Sequence, residues 1–156
     1  MKRIRLTDKT PAPILSGVRI TDFNGGKLAG LKEGYNAIID TGSSHTVVPL
    51  EAASIAGTPT GLEVHATGFT GESISCPEYL IQLYHIEFGV MPVRALGQPK
   101  RKQILLGRDV LAGEFCEPMT LVIDWKTKEW SFGSSSPITS VIVEMLAYLL
   151  KRCQKK

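Results

Sequence analysis

The chain has 156 residues, of which 43% are hydrophobic and 21% charged, the composition of a soluble globular domain large enough to bury a real core. Its net charge of +3 is too small to argue for nucleic acid, and Lys151, Arg152, Lys155 and Lys156 at the end leave the body near neutral. Cys76, Cys116 and Cys153, like His45, His65 and His85, follow no metal-ligand spacing, so free thiols in a reducing compartment are expected, with no metal and no cofactor. Met1-Lys2-Arg3-Ile4-Arg5 starts like a signal peptide but no apolar run follows, which makes cytoplasmic the expected location.

In chain order, Ile14 to Ile20 alternates loosely as a strand, and Asn24-Gly25-Gly26 is a hairpin turn. Tyr35 to Asp40 returns as a buried strand that delivers an acid into Asp40-Thr41-Gly42-Ser43-Ser44. Gly42 permits a sharp turn there, so Asp40 is expected where core meets cleft. The hydroxyls of Thr41, Ser43 and Ser44 and the Gly42 amide are small donors beside the carboxylate. Hydrogen bonds from them would favour its charged form, as suits an acid tuned for chemistry. An isolated Asp-Thr-Gly is otherwise an ordinary turn.

Thr46 to Pro49 reads as a further short strand and Leu50 to Ala56 as a helical turn. Leu62 to Ala66 and Ser73 to Pro77 flank a glycine-rich tip with one aromatic residue, Gly68-Phe69-Thr70-Gly71, so this segment reads as a hairpin. Tyr79 to Tyr84 and Ile86 to Met91 are two more β-type runs, and Gln98-Pro99-Lys100-Arg101-Lys102 reads as a solvated basic connection. Ile104 to Gly107 is then a strand that opens into a short helix at Arg108-Asp109-Val110-Leu111-Ala112-Gly113. Thr120 to Trp125 and Glu129 to Phe132 form a last hairpin, with Asp124 the runner-up acid beside its turn. This rhythm of short strands and turns fits an all-β protein with a closed or barrel-like fold, one short helix and a further helix at the C-terminal end.

The segments Ala37-Ile38-Ile39-Asp40-Thr41-Gly42 and Ile104-Leu105-Leu106-Gly107-Arg108-Asp109 together resemble the retropepsin-like, single-domain aspartic proteases, over about residues 12 to 133. The resemblance implies an acid-protease-type barrel and an aspartic endopeptidase. It also implies catalytic residues Asp40, Thr41, Gly42 and Ser43, a flap tipped by Gly68, Phe69, Thr70 and Gly71, and structural support from Arg108 and Asp109. Peptide hydrolysis by activated water needs two close carboxylates sharing a proton, and the chain has one Asp-Thr-Gly. A homodimer with Asp40 from each subunit on the twofold axis is therefore expected, with a polypeptide as substrate. The alternative is a catalytically silent module that keeps the fold for dimerisation or peptide binding.

Two departures from the family pattern bear on the site. The residue matching Arg108 often pairs with an acid at the place held here by Ser44, so that support is expected to be either missing or replaced, by Asp109 or Asp124. Ser43 stands where many retroviral members have alanine, and its hydroxyl is expected to donate to the outer oxygen of Asp40. Beyond the domain at 1–133, residues 134–156 read as a linker and an amphipathic helix from Ile138 to Arg152, too short to span a bilayer. Its apolar stripe is expected against its own domain or the partner subunit, without membrane association.

Overall fold

The computed structural model describes residues 2–5, 12–67, 71–114 and 118–134. The helix expected after position 137, the flap-tip residues Gly68, Phe69 and Thr70, and Cys116 and Cys153 lie outside them. Two sheets are formed among the described residues. The larger is built on β2 (Ile14–Thr21), β3 (Leu28–Ala29), β4 (Tyr35–Ile39), β5 (Thr46–Pro49), β6 (Thr58–Thr67), β7 (Ser73–His85), β8 (Gly89–Gln98) and β9 (Ile104–Leu106). The smaller is antiparallel, with β1 (Lys2–Arg5), β11 (Glu129–Ser134) and β10 (Met119–Asp124) side by side.

The larger sheet runs β2-β4-β9-β5-β8-β7, and β7 then returns to β2 through the pairs Arg19↔Tyr84, Ile20↔Leu83 and Thr21↔Gln82. The result is a closed barrel of 6 strands, as the rhythm of the sequence predicts. Closure leaves only β3 and β6 as outer strands. Along β7 the side chains of Tyr79, Ile81, Leu83 and His85 are buried and those between them less so, the two-residue period of a strand with one face on a core. Met91, Val93 and Ala95 of β8, Leu15 and Ile20 of β2 and Trp130 of β11 join Tyr79, Ile81 and Leu83 in one apolar cluster. Helix α1 (Leu50–Ala56) presents the buried alanines Ala52, Ala53 and Ala56 to that cluster, and such small residues let the helix sit close on the strands.

One boundary differs from the sequence reading. Pro77 suggests a break between two strands, yet β7 is continuous from Ser73 to His85. The ladder with β8 begins only at Glu78↔Leu96, and the β6 ladder shifts register between Pro59 and Glu63. Pro77 thus occupies an irregular, edge-type position of the kind proline tolerates. No helix among the described residues is long and apolar enough to cross a membrane.

Candidate active site

Strand β9 pairs in parallel with β4 (Ala37↔Ile104 to Ile39↔Leu106) and antiparallel with β5 at Val47↔Leu105, so it lies between them. The loop joining β4 to β5, residues 40–45, must therefore cross the end of β9. Backbone hydrogen bonds pin it there: Asp40 N–H donates to the Leu106 carbonyl at 3.0 Å, and Arg108 N–H donates to the Ser43 carbonyl at 2.9 Å. The reason for Gly107 follows from the same crossing. A Cβ at that position would lie 2.4 Å from the carbonyl carbon of His45 and 2.9 Å from the Thr46 nitrogen, inside any tolerable contact.

Beneath the loop, Thr46 acts as a hub with no exposed surface. Its amide donates to Asp109 Oδ2 and its hydroxyl to Asp109 Oδ1, each at 2.7 Å, while the same hydroxyl accepts from Gly107 N–H at 3.1 Å. Asp109, at the start of helix α2 (Arg108–Leu111), also accepts from Val110 N–H at 2.8 Å. The Asp109 carboxylate thus ties the start of β5 to helix α2 beneath the loop. With Ser44 where an acid would attract it, the Arg108 side chain is exposed and makes no ion pair among the described residues. Asp124 is exposed too, accepting from the amides of Lys126 and Thr127 in its own turn. Those amides hold its carboxyl below the usual carboxylate range, and it lies apart from Asp40's cleft.

Asp40 itself is half-buried at the mouth of a cleft of about 510 Å³. Of the four donors expected around it, one reaches it: Gly42 N–H donates to Oδ1 at 2.9 Å. Ser43, expected to donate to the same carboxylate, instead donates its hydroxyl to the His45 carbonyl at 2.7 Å. The Ser44 hydroxyl bonds His45 Nδ1 at 2.8 Å. A carbonyl two residues ahead is closer to the Ser43 side chain than the acid behind it, because the loop is already turning into β5. Thr41 is exposed, and its hydroxyl makes no hydrogen bond among the described residues.

The β6–β7 hairpin forms one wall of the cleft through Ala66, Thr67, Glu72 and Ile74. Gly71, with φ +78° and open space around its Cβ position, ends the described part of the return arm in a left-handed turn. The floor is Val47 and Leu105, backed by Leu96 and the fully buried Cys76 in a second apolar cluster. Gln98 and the half-buried Arg101 complete the lining at the cleft's rim.

Arg101 is the residue that the sequence reading misses. Within the run Lys100-Arg101-Lys102 nothing separates one cation from the next, but Lys100 takes φ 61° and the chain reverses there. Arg101 then turns inward to half-burial, with Lys100 and Lys102 exposed on either side. Its Nε–H donates to the Gln103 carbonyl and an Nη1–H to Gln98 Oε1, each at 2.8 Å. Burial lowers its pKa from the ordinary value, opposed by the nearby charges of Asp40 and the Cys76 thiolate form. The Cys76 thiol is pushed up, chiefly by burial, with the Arg101 charge pulling in the other direction. A thiol both covered and held protonated is a poor nucleophile. In the native protein Cys76 is expected to alkylate with iodoacetamide at least about tenfold more slowly than in urea, measured by mass spectrometry of its peptide; equal rates would show the floor to be open.

A scan against protein-family models finds no match for the chain, and a search of curated proteins finds none either.

Proposed function

We propose that the chain is a retropepsin-like aspartic endopeptidase that works as a homodimer in the cytoplasm. The observation that carries this reading is the placement of Asp40. Its carboxylate stands on a crossover loop pinned by backbone bonds to β9 and α2, at the mouth of a cleft walled by a β-hairpin. An acid so held is both rigid and reachable.

In the proposed reaction two Asp40 carboxylates meet on the twofold axis and share one proton. The ionised one takes a proton from water as it attacks the peptide carbonyl, and the protonated one polarises that carbonyl and later protonates the leaving amine. Exposed Thr41, beside Asp40, is placed to meet its mate across the axis. The hairpin arm and the cleft floor suit an extended peptide, gripped through its backbone with alternate side chains turned down into the floor.

The test is incubation of the purified protein with a peptide library at acidic and neutral pH, read by mass spectrometry, with sedimentation of the same sample. New termini from a dimeric protein support the reading. A dimer that binds peptides and cuts none at either pH would leave the silent module in its place.

A further inference from the structure

Arg101 has no part in the chemistry just described, yet it sits on the rim of the same cleft as Asp40. Two of its N–H groups are spent on Gln103 and Gln98, which fixes the plane of the guanidinium. The remaining donors make no hydrogen bond among the described residues. A half-buried cation, held rigid and with donors to spare, fits a carboxylate, which accepts two parallel N–H bonds from a planar fork. We propose that Arg101 selects peptides that carry an acidic side chain next to the bond to be cut; this rests on the endopeptidase reading.

The other charges of the cleft set the limits of the idea. Asp40 lines the same cleft and its charge is felt at Arg101, but in the proposed reaction it belongs to a pair that shares a proton and faces the peptide carbonyl and the water. Glu72 is on the hairpin wall and exposed, so water screens it. Arg101 is partly withdrawn from water, and a charge in that setting acts more strongly on a neighbour than a solvated one does. The floor below it, Val47 and Leu105, is apolar, so an acidic side chain entering there finds a cation and little water. By twofold symmetry a dimer has one Arg101 on each side of the scissile bond. An acid on either side is therefore favoured.

The experiment compares peptides identical except for Glu, Gln or Lys next to the cleaved bond. They are cut by the wild-type protein and by Arg101→Gln, Arg101→Lys and Arg101→Glu, each checked for an unchanged melting curve. The wild type is expected to favour Glu over Gln by about tenfold in kcat/KM, the size of one hydrogen bond to a charged group. Arg101→Gln abolishes the preference, Arg101→Lys keeps part of it, and Arg101→Glu turns it toward Lys. Cleavage without acid preference, or a preference that survives Arg101→Gln, overturns the assignment and leaves the endopeptidase standing. A parallel titration by fluorescence anisotropy uses Asp40→Asn protein with labelled Glu and Gln peptides. If the wild type cuts nothing, tighter binding of the Glu peptide that disappears on adding Arg101→Gln keeps the acid site and removes the endopeptidase. Equal or absent binding removes both.

Discussion

Asp40→Asn is expected to lower kcat for any cleaved peptide by at least about a thousandfold, within the range for loss of a positioned acid–base group. The asparagine is nearly isosteric, and its Oδ1 can still accept from Gly42 N–H, the one hydrogen bond the carboxylate makes in the described structure. The loop is otherwise held by backbone bonds from Asp40 to Leu106 and from Arg108 to Ser43, which the substitution does not touch. The fold and the proposed dimer should persist while the base is gone. Asp124→Asn is the matched control: the same chemical change at an exposed turn, away from the cleft, is expected to leave kcat/KM unchanged. Steady-state kinetics with melting curves for both variants decide the point. Undiminished turnover in Asp40→Asn would end the aspartic-protease proposal, and loss of turnover in Asp124→Asn would transfer the role of acid to that residue.

The fold was legible where period and punctuation agree. Strands β2, β4, β5, β9, β10 and β11 follow from short apolar or alternating runs closed by turns, and the barrel from their rapid succession. What could not be read was anything decided by which residue a loop turns inward. Ser43 has two acceptors within reach along the chain, Asp40 behind and His45 ahead, and only the path of the loop into β5 settles for His45. Arg101 is one of three consecutive positively charged or flanking basic residues, and only the left-handed turn at Lys100 tells it from its neighbours. Thr46 carried a weak signal, as the polar member of the otherwise apolar strand Thr46-Val47-Val48-Pro49. A hydroxyl with no exposed surface must have partners, and Asp109 and Gly107 supply them.

That buried hub gives the largest expected effect on stability. Asp109→Ala removes the acceptor for the Thr46 amide, the Thr46 hydroxyl and the Val110 amide together. Thr46 has no exposed surface, so water cannot stand in for the lost carboxylate without opening the loop. The expected cost is about 3 kcal/mol, that of leaving buried donors unsatisfied after losing bonds to a charged acceptor. Thr46→Val removes the hydroxyl and keeps the shape. It leaves Gly107 N–H without its acceptor and takes one of the two donors from Asp109 Oδ1, which keeps Val110 N–H, at about 2 kcal/mol. Because the two side chains share a hydrogen bond, the costs should not add: the double variant is expected to be more stable than the sum by about 1 kcal/mol or more. Urea unfolding of the four proteins measures the cycle at constant protein concentration, which the proposed dimer requires. Additive costs would mean that Asp109 and Thr46 act separately, and that the crossover loop bearing Asp40 is held by its backbone bonds alone.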